Sequence, residues 1–108
     1  MPTRSKLDTI LIVGGSGFLS GTLARTAVAR GHKVWTVTRG QRPLPDGVTS
    51  LIADRHDSGR FEQLVAGAGT HWDLVVDCIG FLPADVQQGI AVFRDRARHL
   101  MFVSTDFV

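Results

Sequence analysis

The residues best suited to chemistry stand close together near the start of the chain, in the run Val13-Gly14-Gly15-Ser16-Gly17-Phe18-Leu19-Ser20-Gly21. Two registers fit a dinucleotide fingerprint. Gly15-x-Gly17-x-x-Ser20 has the common spacing, and Gly14-x-x-Gly17-x-x-Ser20 the wider one. Both put Ser20 in a slot usually held by a third glycine, where a small residue lets a helix approach a strand. The first glycines permit a sharp strand-to-helix turn, and Gly17 lets the backbone come close to a diphosphate. Free amides at a helix start, with the positive end of the helix dipole, favour that charge. The bland reading is a glycine turn with no ligand. Context favours the former, because the run follows a strand signal, opens a helix signal and sits in a unit of about 30 residues. A triphosphatase phosphate loop is excluded, since no Gly-Lys-Ser/Thr follows the glycines.

Other candidates stand at the ends of later apolar runs. Thr38-Arg39-Gly40-Gln41-Arg42 comes about 20 residues after the glycines, where an acid would bind the ribose of NAD. Arginine stands there instead. Arg39 suits a 2′-phosphate and can stack on adenine, which favours NADP over NAD; a solvated loop arginine is the alternative. Asp54, in Ala53-Asp54-Arg55-His56-Asp57, reads either as an acceptor for the adenine amino group or as a turn aspartate. Gly80, in Asp77-Cys78-Ile79-Gly80-Phe81, lets the chain pass beneath a ribose and nicotinamide. Cys78, inside an apolar run, reads as a small core residue rather than a nucleophile. The histidines lack metal spacing: His32 and His71 read as loop residues, and His99 as a cation at a helix C-terminus.

These positions need a scaffold, and the sequence alternates strand and helix signals. Apolar or β-branched strands are expected at 9–13, 33–38, 48–53, 73–79 and 100–104. Helices are expected from Leu19 to Gly31, after a cap at Asp57 or Ser58, and from Pro83. Phe61, Leu64 and Val65 form the inner face of the second helix; Val86, Ile90, Phe93 and Ala97 form that of the third. Near-continuous apolar strands between helices argue for a three-layer, doubly wound parallel α/β sheet. Right-handed crossovers give the order 3-2-1-4-5, with a switch point between strands 1 and 4 where ligands bind.

Composition bounds the rest. With 108 residues, 44% of them hydrophobic, the chain makes one domain. Twelve Lys and Arg against ten acids give a net charge of +2, and no basic block suggests a nucleic-acid partner. One cysteine excludes an intrachain disulfide. No apolar run is long enough to span a membrane and no secretory signal precedes the first strand, so a cytoplasmic location is expected. The chain has no tyrosine, which excludes a tyrosine acid or base within these 108 residues.

Taken together, the chain resembles the N-terminal half of the extended or atypical short-chain dehydrogenase/reductase superfamily. Within it, the chain is similar to the NAD(P)-dependent epimerase/dehydratase group that acts on nucleotide sugars. The resemblance rests on residues 13–19, Gly31-His32-x-Val34, Thr38-Arg39-Gly40, Ala53-Asp54-Arg55-x-Asp57 and Phe102-Val103-Ser104-Thr105-Asp106. It implies a Rossmann-like NAD(P)-binding domain with Gly14, Gly15, Ser16, Gly17, Phe18 and Leu19 around the pyrophosphate. Arg39 would select the 2′-phosphate, Asp54 and Arg55 would contact adenine, and Cys78, Ile79 and Gly80 would lie beside the ribose. Thr105 matches the catalytic Ser/Thr that hydrogen-bonds the reacting sugar oxygen. Phe107 stands where the dehydratases have Glu, which argues against dehydration.

The group's Tyr-x-x-x-Lys pair is absent, so the expectation is a truncated, catalytically incomplete cofactor-binding half, with an open sheet edge that invites a homo-oligomer. The first functional expectation is an oxidoreductase or isomerase of nucleotide sugars, working by hydride transfer at sugar C4. The second is a non-catalytic dinucleotide-sensing module, as in redox-sensor or RNA-binding relatives. A flavin- or other nucleotide-binding module stands third.

Overall fold

The computed structural model describes residues 8–14, 18–40, 44, 46–54, 56–69, 71–78 and 83–103, with the side chains of residues 18, 19 and 58 left aside. The central strand β1 (Thr9–Val13) is apolar and buried on both faces from Ile10 onward. It pairs in parallel with β2 (Lys33–Thr38) on one side and β4 (Trp72–Asp77) on the other. β3 (Val48–Ile52) and β5 (Ala97–Phe102) complete a five-stranded parallel sheet of order β3-β2-β1-β4-β5. The expected fold class and strand order are therefore correct.

The two-residue period of a strand sorts the core into two halves. Ile10 and Ile12 pack with Val34, Val76 and Cys78 beneath Ala24 and Ala27 of α1 (Phe18–Ala29). Leu11 and Val13 pack on the other face with Val37, Trp72 and Val75. That face is covered by Phe61 and Val65 of α2 (Ser58–Gly67) and by Val92 and Phe93 of α3 (Pro83–Phe93). Edge-to-face aromatic pairs run through this half: Trp35 on Trp72, Trp72 on Phe93, and Phe93 on Phe61. Asp57 caps α2, its carboxylate accepting from the Arg60 amide at 3.4 Å. At the amino end of the sheet, the Thr9 amide donates to Asp73 Oδ2 at 2.9 Å and the Asp73 amide donates to Thr9 Oγ1 at 3.0 Å, which locks β1 to β4.

Three expectations need correction. β4 begins at Trp72 and ends at Asp77, so Cys78 lies just past it. β5 begins at Ala97, three residues before its expected start; Ala97 is a strand residue, and His99 pairs with Leu74 rather than ending a helix. The buried face of α3 is Asp85, Gly89, Val92 and Phe93, while Ile90 is 51% exposed. The reason is close approach. A Cβ on Gly89 would lie 3.0 Å from Phe102 Cζ, so α3 turns its slimmest residue to the sheet. A hydropathy pattern passes over glycine and aspartate, and so selects the wrong face.

Candidate functional site

Because all five strands are parallel, their carboxyl ends share one edge. The register sets Val13 opposite both Val37 and Asp77, Thr38 opposite Ile52, and Asp77 opposite Phe102. The residues just past those ends therefore form a row in strand order: Asp54, Arg39, Gly14, Cys78.

Gly14 follows β1 with φ 116°, a backbone state that disfavours any side chain. Its amide donates to the Val37 carbonyl at 2.8 Å, extending the ladder by one residue. That amide is thus spent on the sheet, and an anion at this turn must be met by later ones. Gly15, Ser16 and Gly17 lie outside the described residues, as do the side chains of Phe18 and Leu19. α1 starts at Phe18 with no acid in its first turn, so no carboxylate there offsets the positive end of its dipole. Ser20 is buried, as a small residue in the third slot of the fingerprint must be.

At the end of β2, Gly40 has φ 76° and its amide donates to Thr38 Oγ1 at 3.1 Å. A Cβ there would press on Ile52 at 3.2 Å. This tight turn leaves Arg39 exposed on the edge beside the exit of β1. At the end of β3, the Ala53 amide donates to the Thr38 carbonyl at 2.8 Å. Asp54 then makes a turn of its own. Its Oδ1 accepts from the His56 amide at 2.9 Å, and its carbonyl accepts from the Asp57 amide at 3.0 Å. The turn-aspartate reading is thus built into the structure, and it uses only one carboxylate oxygen.

At the end of β4, the Cys78 amide donates to the Val13 carbonyl at 3.0 Å, and its side chain is buried in the α1 half of the core. Burial, and then the neighbouring Asp77 charge, push the thiol up to about 11. A neutral-pH thiolate nucleophile is excluded there, as the sequence suggests. Arg55, Ile79, Gly80 and Thr105 lie outside the described residues.

Two residues at this edge escape a reading of the sequence. Asp77 is fully buried at the switch point, and its Oδ2 would lie 3.6 Å from a Cβ on Gly89, so its carboxylate faces α3. The signal was an acid closing the apolar run Leu74-Val75-Val76. The second is His56, whose Nε2 is 3.8 Å from Asp85 Oδ1; no spacing rule links residues on two different helix starts. The described residues hold no group of three His, Cys, Asp or Glu poised for a metal, and no helix long and apolar enough to cross a membrane. A separate cavity at the amino end of the sheet is lined by Asp8, Ile10, Asp73, Leu74, Arg98 and His99, away from this edge.

Comparison with known proteins agrees with this layout. A 3-beta-hydroxysteroid dehydrogenase of Mycolicibacterium neoaurum is 33% identical over 81 residues, covering 71% of this chain and 22% of that enzyme. A protein of Methylobacillus flagellatus assigned to the NAD-dependent epimerases/dehydratases superposes with a TM-score of 0.75 at 28% identity, covering 93% of this chain and 38% of that one. The Bordetella bronchiseptica enzyme WbmG, in complex with NAD and UDP, shares the fold with a TM-score of 0.56 at 21% identity over 72% of this chain and 26% of its own. The chain thus spans well under half the length of each. The profile of the NAD dependent epimerase/dehydratase family matches residues 10–101, and the chain belongs to that family.

Proposed function

We propose that this chain is the dinucleotide-binding part of a longer NAD(P)-dependent oxidoreductase or isomerase acting on nucleotide sugars. The observation that carries the reading is the exit of β1: a positive-φ glycine leads within a few residues to a helix start free of acids, at the switch point of a parallel sheet. In this reading the amides of residues 15–18 hold the diphosphate, and Gly14 sets the turn. Arg39 pairs with a 2′-phosphate, which favours NADP over NAD. Asp54 accepts from the adenine amino group through the oxygen its turn does not use, with Arg55 beside it. Cys78, Ile79 and Gly80 pass beside the ribose, Cys78 by its backbone, since its side chain is in the core. Thr105 holds the reacting sugar oxygen. When bound, the nicotinamide supplies reversible hydride transfer.

The UDP in the WbmG complex supports a nucleotide-sugar substrate. The name of the Mycolicibacterium neoaurum relative, a 3-beta-hydroxysteroid dehydrogenase, supports an oxidoreductase. The same scaffold also suits a second reading, a non-catalytic dinucleotide sensor. The longer gene separates the two: a Tyr-x-x-x-Lys downstream of β5 supports the enzyme, and its lack the sensor. A cytoplasmic location and self-association through the outer edge of β5, the last strand of the sheet among the described residues, belong to the same proposal; sedimentation across a concentration range tests the latter.

Calorimetric titration with NADP, NAD and FAD tests the core of the reading. Binding of the nicotinamide dinucleotides, NADP the tighter, is the expected result. Binding of FAD alone overturns it.

A further inference from the structure

Resting on the dinucleotide reading, we propose that His56 is a positioning residue that fixes Asp54 for recognition of the adenine amino group. His56 lies in the turn between β3 and α2, and its ring stands between two carboxylates on different elements. Its Nδ1 is 3.6 Å from Asp54 Oδ1, and its Nε2 is 3.8 Å from Asp85 Oδ1. Both distances exceed a hydrogen bond, and they set one ring nitrogen beside each carboxylate. The two carboxylates are unequal. The Asp85 side chain, in the first turn of α3, is only 9% exposed and so is fixed by the core; that of Asp54 is 48% exposed. His56 therefore stands between an exposed acid and a buried one.

The same residue holds Asp54 Oδ1 twice, through its amide at 2.9 Å and through its ring. Among the described residues no donor is assigned to Oδ2, which leaves that oxygen to accept from an incoming amino group. Adenine carries such a donor at position 6. Hypoxanthine carries a carbonyl there, which a carboxylate repels. A fixed Asp54 tells the two bases apart, and a loose one turns away.

The test compares NAD with nicotinamide hypoxanthine dinucleotide on the full 108-residue chain, in native form and as His56→Ala and His56→Gln. Native protein is expected to bind the adenine form more tightly. His56→Ala should reduce that preference roughly two- to fivefold, the scale of an exposed ion pair, with the melting temperature unchanged because the side chain is exposed. His56→Gln, which keeps one donor, should restore part of it. Asp85→Asn should reduce the preference as His56→Ala does, and the double variant should lose no more than either single one. An unchanged preference in His56→Ala, or additive losses in the double variant, overturns the role of His56 and leaves the dinucleotide site standing. No binding of NAD by the native chain overturns the site reading itself.

Discussion

Cys78 shows how surroundings decide the chemistry of a residue type. Its thiol is raised from an ordinary value of 9.0 to about 11, first by burial and then by Asp77. Between those values the unfolded chain gives up a proton that the folded chain keeps, so the folded state loses stability as pH rises through 9 to 11. The sequence contains no tyrosine, which would otherwise titrate in that window. Denaturant midpoints of the native chain should therefore fall across this range, and those of Cys78→Ala should fall less; equal slopes would refute the burial argument. At the same scale, Arg39→Ala should weaken NADP binding about tenfold and NAD binding little, since a guanidinium–phosphate contact is worth on the order of 1.5–3 kcal/mol. Equal losses would remove the cofactor preference. Cys78 as a core residue and Asp54 as a turn residue were legible because both readings depend on near neighbours in sequence. Asp77 and His56 were not, because their surroundings come from α3, a separate element.

The elements themselves were largely legible. Strands β1 and β2 have the expected bounds because an unbroken β-branched run has no helical alternative. Asp57 caps α2 as its position before Phe61 suggests. Asp57→Ala should lower stability by about 1 kcal/mol, read as a drop in the thermal midpoint, with helix content otherwise retained. No change would mean that the 3.4 Å contact contributes nothing. The face of α3 was the miss, and its physical cause is testable. Gly89→Leu drives a side chain toward Phe102 and Asp77 and should cost about 1–3 kcal/mol, despite leucine's better helix propensity. A gain in stability would show that α3 has room to move away from the sheet.

At the scale of the molecule, the strand order follows the doubly wound pattern, in which right-handed crossovers run outward on both sides of the first strand. That order sets Asp54, Arg39, Gly14 and Cys78 in a row along one edge. The opposite edge is closed differently: Thr9 and Asp73 lock β1 to β4, and the cavity nearby mixes two acids with Arg98 and His99. The proposed reading puts a dinucleotide at the first edge and not at the second. The most direct measurement is an amide-resolved NMR titration of the chain with NADP. The largest shifts are expected in the turn after β1, at residues 15–18, with others at Gly14, Arg39, Asp54 and Cys78. Shifts gathered instead around Asp8, Asp73 and His99, with the turn after β1 unmoved, would contradict the account.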